Sequence, residues 1–287
     1  MPSFQSILLD VDEADHVATI TLNRPDRLNA FDRTMCEEMA EAWRVVKLDE
    51  SVNAVVLRAA GTRAFSTGLD IKSPYGQPAN VWHHEDPGEP LSPKWQKMWK
   101  PVVCAVQGMC TAGAFYFINE SDIVICSTDA TFFDSHVSTG LVCALEPIGL
   151  MRRIGLGETL RIALMGNDER VSADTALRIG LVSEVVPPER LWNRAREIAV
   201  AIAAAISCAR SHSRSRSTTL VTRPIRRAVS AVTRSSLPDS AIRSVSASPI
   251  LRIRPIGSSA STIPWLTCES KKVASREQMT MSASLRK

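Results

Sequence analysis

The stretch VQGMCTAGAFYFINESD, Val106 to Asp122, decides how the rest of the chain reads. An apolar, strand-like run stops at Gly108, and the small triplet Ala112-Gly113-Ala114 opens a helical pattern. The small side chains let a carbonyl oxygen approach the main chain. The first amides of a helix lack internal partners and carry partial positive charge. This stretch is built to hold a negative charge, and it calls for an acid or base beside it.

A second turn of the same kind lies in RAFSTGLDIK, Arg63 to Lys72. Gly68 permits a tight turn after a strand, which leaves the amide of Leu69 free to point away from any ladder. Two convergent N–H groups form an oxyanion hole, each donor worth roughly 3–4 kcal/mol in a transition state. The plainer alternative is a pair of ordinary glycine turns in an α/β core.

The flanking text alternates strands and helices, which argues for an α/β fold. HVATITLNRPD alternates apolar and polar residues up to an Arg-Pro stop. FDRTMCEEMAEAWRVV follows with Met35, Met39, Trp43 and Val46 at helical spacing and Asp32 as N-cap. NAVVLRAAG, PVVCAVQG and SDIVICS are short buried strands, and PKWQKMWK is helix-like. GETLRIALMG reads as a helix closed by Gly166, and SADTALRIG as one capped by Ser172 and stopped by Gly180. LVSEVVPPERLWNRAREIAVAIAAAI is a strand, a proline break and a long helix. Residues 73–93 are rich in Pro and Gly and read as an irregular loop or lid.

The 287 residues, 45% apolar, can bury one substantial core. No apolar run approaches the ~20 residues of a membrane span, and no basic start followed by an apolar block marks a secretory signal. Seven scattered cysteines without a C-x-x-C pair or a Cys/His cluster suggest neither disulfides nor a metal site, and fit a cytoplasmic protein. No G-x-G-x-x-G turn or phosphate loop is present, so no separate cofactor is expected.

Five segments, TLNRPDRLNAF, AFSTGLDIK, KPVVCAVQGMCTAGA, SDIVICSTDATFF and GLVSEVV, together resemble the crotonase superfamily, the enoyl-CoA hydratase/isomerase family. The resemblance covers about residues 10–206 in collinear order. It implies a spiral of strand–strand–helix units acting on acyl-CoA thioesters, with C-terminal helices that form a homotrimer or hexamer. It implies that Leu69 and Gly113 donate their amides to the thioester oxygen, and that Leu69, Asp70, Ile71, Lys72 and Gly113 line the coenzyme A part of the substrate.

The resemblance also exposes two departures. Hydratases of the family carry a glutamate three residues after the oxyanion glycine, where this chain has Tyr116. They carry a second at the seventh position of ATFFDSH, where this chain has His136. A phenol, ordinarily titrating near pH 10, is a poor base, whereas an imidazole titrates in the working range. Glu146, ten residues past His136 and flanked by Leu145 and Pro147, is the candidate replacement, partly desolvated in the acyl-facing segment. Asp134 is a weaker candidate, and Glu120 reads as a structural ion-pair partner. One base with one relay suits isomerisation of a 3-enoyl thioester, or hydrolysis, better than ordinary hydration. The alternative is an acyl-CoA binder without turnover.

The charge distribution divides the chain once more. Residues 207–287 carry 12 Arg and 3 Lys against three acids, a net +12, which leaves −8 for residues 1–206. Serine makes up 19 of these last 81 residues, and helical periodicity fails. Such text fits a disordered tail, a reading-frame change near residue 207, or a basic arm binding nucleic acid.

Overall fold

The computed structural model describes residues 3–73, 88–143 and 145–215, the last five without their side chains. In chain order the elements are β1 (Ile7–Asp12), β2 (Val17–Leu22), α1 (Arg33–Leu48), β3 (Ala54–Ala59) and β4 (Ala64–Ser66). Next come β5 (Val102–Val106), β6 (Met109–Thr111), α2 (Phe115–Asn119), β7 (Ile123–Ser127) and β8 (Thr131–Phe133). The series closes with α3 (Glu146–Met165), β9 (Val171–Ser172), α4 (Ala173–Arg178), β10 (Glu184–Val186) and α5 (Leu191–Ser215).

Each long strand of the middle segment is followed by a short one that leaves for a second sheet. The large sheet has the order β1-β2-β3-β5-β7-β10, and the small one β4-β6-β8-β9. The pairs β3/β4, β5/β6 and β7/β8 therefore advance both sheets in step, with α2 and α3 closing two of the turns. This is the expected spiral.

The large sheet is covered on both faces, which is why its strands read as continuous apolar runs. Along β3 the side chains alternate between the two sides. Val55 and Leu57 join the core under α1 with Met35, Met39, Trp43 and Val46, while Ala54 and Val56 pack under α5 with Ala195, Ile198 and Ala199. Asp32 caps α1 by accepting from the amide of Met35 at 2.9 Å, and Ser172 caps α4 through Thr175.

Three expectations change. PKWQKMWK forms turns, not a helix, with Lys97 at φ +56°. The helix expected at GETLRIALMG is present, but as the second of two helical stretches: Gly155, at φ +78°, breaks α3 midway, and the first stretch starts at Glu146 with Pro147 in its first turn, where a missing N–H costs nothing. The last helix does not stop near Ile206 but runs on to Ser215. Ser207 accepts from Asn53 at 2.8 Å and Arg210 donates back to it at 3.0 Å, so the first residues of the basic segment are tied to the residue before β3. Residues 216–287, with the tail readings placed on them, and residues 74–87 of the expected lid lie outside the described residues. No helix among the described residues is long and apolar enough to cross a membrane.

Candidate active site

β4, β6 and β8 lie side by side and parallel, with Ser66 opposite Cys110 and Thr111 opposite Phe133. Neighbouring strands are about 4.8 Å apart, so their carboxyl ends deliver Gly68-Leu69, Gly113 and Asp134-His136 to one edge of the small sheet. That edge is where open parallel sheets characteristically bind ligands.

The Gly68 turn is held from one side by Phe31. Its N–H donates to the carbonyl of Gly68 at 2.9 Å, and its own carbonyl accepts from Asp70 at 2.8 Å. In such a parallel bridge the residue between, here Leu69, turns its own amide away from the partner. From the other side the turn touches the second amide: a β-carbon on Gly68 would sit 2.9 Å from the nitrogen of Gly113. Gly68 takes φ +82°, and Ala112, just before Gly113, takes φ +52°. A β-carbon on Gly113 itself would meet the Phe31 ring at 2.7 Å. Close approach thus requires both glycines, and at Gly68 the dihedral requires one as well.

Sequence reasoning missed Arg24, which braces this turn. Its guanidinium lies 3.0 Å from both Asp32 and Asp70 and donates to the carbonyl of Ala30. The Asp70 carboxylate, expected along the coenzyme A path, is engaged by Arg24 and by the amide of Lys72. Ile71, in contrast, is 90% exposed, and Lys72 is also exposed.

The loop after β8 gathers the titratable groups. Asp134 is fully buried; one oxygen accepts from the His136 ring at 2.6 Å and from the His136 amide at 2.9 Å. The other accepts from the Cys143 thiol at 2.7 Å. Glu146, at the start of α3, is 6% exposed, with one oxygen 3.8 Å from the His136 ring and the other 3.4 Å from the Cys143 sulfur. The side chain of Asn119 donates to the Glu146 carbonyl at 2.9 Å and so ties α2 to this helix end. Asp134 is therefore the hub of the cluster, not its weakest member. Cys143 carried no signal in the sequence, because nothing in its local text sets it apart.

These contacts set the charges. The hydrogen bond from Asp134 raises the His136 imidazole above its ordinary value against the opposing effect of burial, and the charges of Asp134 and Glu146 add to the rise. Burial pushes the Asp134 carboxyl up, but the bonds from His136 and Cys143 outweigh it and hold the group below the ordinary range. Burial, then the bond to Asp134, pushes the Cys143 thiol far up, so it is a protonated donor. His136 therefore stands between Asp134 and Glu146, and both neighbours favour its protonated form.

Tyr116 lies elsewhere on α2. It lines a cavity of about 70 Å³ together with Asn119, Leu145, Ile148 and Arg152, and Gly88 packs against its ring. Glu120 makes the structural pair expected of it, 3.7 Å from Arg152. No C-x-x-C spacing suggested a metal, yet the fold brings ligand atoms of Asp134, His136 and Cys143 within 4.8 Å of one another.

Comparison with known proteins agrees with this layout. Residues 12–232 match the family model described as enoyl-CoA hydratase/isomerase. The chain is 35% identical over 191 residues to the (E)-benzylidenesuccinyl-CoA hydratase of Thauera aromatica, which spans 66% of this chain and 73% of that protein. It is 32% identical over 189 residues to the 1,2-epoxyphenylacetyl-CoA isomerase of Escherichia coli, over 64% of this chain and 71% of that one. The crystal structure of an enoyl-CoA hydratase/isomerase from Mycobacterium paratuberculosis matches with a TM-score of 0.63 at 35% identity, covering 84% of this chain and 94% of that chain.

Proposed function

This chain belongs to the enoyl-CoA hydratase/isomerase family, and from that footing we propose that it isomerises enoyl-CoA thioesters by proton transfer. The amides of Leu69 and Gly113 hold the thioester oxygen. The carboxylate of Glu146 removes a proton from C2 of a 3-enoyl thioester, and the electron pair moves onto the oxygen as an enolate. Return of a proton to C4 from Glu146, relayed through His136, shifts the double bond to C2–C3. Asp134 holds the imidazole in place, and Tyr116 shapes the wall of the acyl site.

The observation that carries this reading is the meeting of three strand ends at one edge. Two end in the Gly68-Leu69 and Gly113 turns, and the third leads into the His136–Glu146 pair, 3.8 Å apart. Enolate chemistry needs this pairing, because a thioester α-proton is too weakly acidic for a carboxylate unless the developing charge is stabilised at the same moment. One buried carboxyl group with one neighbouring imidazole suffices for a proton shuttle. Hydration would require, in addition, a held and activated water, and Tyr116 stands where the family's hydratases place one of the two groups that hold it.

The test is a 3-enoyl-CoA incubated in D2O, followed by the absorbance of the conjugated product and by deuterium at C4. Glu146→Gln is expected to lower kcat by about 10²–10⁴-fold, with a smaller loss for His136→Ala. Wild-type turnover in both variants would remove the assignment, and binding without turnover of any enoyl thioester would leave an acyl-CoA binder.

A further inference from the structure

We propose that the Asp134–Glu146 loop is a site for a divalent transition metal of the zinc class. The ligands are the Cys143 sulfur, a His136 ring nitrogen and a carboxylate oxygen of Asp134, with the fourth position left to an exogenous ligand and Glu146 beside the sulfur at 3.4 Å. The inference is independent of the isomerase reading, because it rests on the donor atoms alone.

Three donors of three chemical kinds converge here. The ligating atoms of Asp134, His136 and Cys143 all lie within 4.8 Å of one another. The second Glu146 oxygen is 3.4 Å from the same sulfur. A tetrahedral ion with metal–sulfur bonds of about 2.3 Å and metal–nitrogen or –oxygen bonds of about 2.0–2.1 Å sets its ligands some 3.3–3.6 Å apart. The observed separations bracket that spacing, so side-chain shifts of about 1 Å close the shell. A mixed thiolate, imidazole and carboxylate set selects zinc or cobalt over the hard cations calcium and magnesium.

Electrostatics argues the same way. Two carboxylates, one fully buried and one 6% exposed, share a single imidazole, so the pocket holds more anionic capacity than its one cation offsets. A dication would remove that excess. Binding would release to solvent the proton that the Cys143 thiol now donates to Asp134. The frame is also prepared: the Asp134 carboxylate is fixed by the amide of His136, and the Glu146 backbone is fixed by Asn119. Ligands pre-oriented in this way lose less freedom when they close on a metal. A metal so held would take His136 out of proton transfer, making the site inhibitory to the chemistry proposed above.

The full chain, stripped with chelator, is titrated with Co²⁺ and read by absorption. The expected result is one ion per chain, visible d–d bands of four-coordinate intensity and a near-ultraviolet thiolate-to-cobalt band. Cys143→Ser, nearly isosteric, should abolish the thiolate band. Asp134→Asn should weaken binding by at least about tenfold, with circular dichroism confirming that each variant is folded. Cys208→Ser should change nothing. The absence of a thiolate band in the wild type, or its persistence in Cys143→Ser, would overturn the proposal. Neither outcome depends on catalytic activity, so a failed isomerase assay and a failed titration remain distinguishable.

Discussion

The Gly68/Gly113 side of the site is made of main chain, and the Asp134–Glu146 side is made of side chains. The first is fixed wherever β4 and β6 are fixed, because its donors are amides and its positions are set by backbone contact. The second depends on four side chains within one loop, each held by the others, so a few substitutions can rewrite its chemistry without disturbing the sheet. The relatives fit that division: one is named a hydratase and another an epoxide isomerase, at comparable identity to this chain. In the proposed reaction the fold supplies the means of stabilising a charge, and the loop supplies the choice of what to do with it.

The sharpest way to break this comparison is to damage the main-chain side with a single methyl group. Gly68→Ala adds a β-carbon 2.9 Å from the Gly113 nitrogen at a residue with φ +82°. The turn must shift, and both proposed donors lose their aim together. The expected loss in kcat is about 10²–10³-fold, the cost of one misplaced oxyanion donor. Left-handed strain should also destabilise the fold by about 1–2 kcal/mol. Turnover and thermal melts of one preparation separate the two effects. A variant that folds and turns over normally would detach this turn from the chemistry.

The main-chain side was also the legible one. Small residues before a helix and a glycine after a strand are local signals, and both turns lie where the sequence put them. The capped helices and the long strands were equally readable, because their periodicity is local. The strands of the small sheet were not: β4, β6 and β8 have three residues each, too few for any alternation to show. Without them the meeting of Leu69, Gly113 and His136 at one edge could not be derived from periodicity. Arg24 stayed hidden because its partner in the turn, Asp70, is 46 positions away. Cys143 stayed hidden because its role arises wholly from tertiary contact. The start of α3 at Glu146 was not read from the sequence, although Pro147 in its first turn is a start signal.

The side-chain side predicts a pH signature that the main-chain side lacks. His136 is raised above its ordinary 6.5 by Asp134, so its contribution to stability is complete below pH 6.5 and disappears as pH rises through the folded value. Asp134 is held below its ordinary 3.8, so its contribution is present above that pH and is lost as pH falls through the folded value. Between these limits the pair stabilises most. Denaturation midpoints of wild type and His136→Gln should therefore differ most in mildly acidic buffer and converge as the pH is raised from about 6 to 9. A gap that stays constant over that range would mean that the imidazole is neutral in the fold. The Gly68 and Gly113 turns contain no group that titrates over that range, since Asp70 is held below its ordinary 3.8, and should impose no such trend.

The smallest expected effect tests the main-chain side from the opposite direction, by removing a methyl group. Ala112 adopts φ +52°, in the left-handed region where a β-carbon is crowded. Its substitution by glycine relieves about 1 kcal/mol of strain and gives back a similar amount by loosening the unfolded chain. The two terms nearly cancel, so stability should change by no more than about 0.5 kcal/mol. Activity should hold as well, because the Gly113 amide is set by the contacts of Gly68 and Phe31, not by the methyl group beside it. Gly68→Ala and Ala112→Gly exchange one methyl group in opposite senses on the same edge. If the amides are the working parts, only the addition should matter. A large loss of turnover from the removal would show that the alanine side chain, and not the backbone alone, shapes the hole.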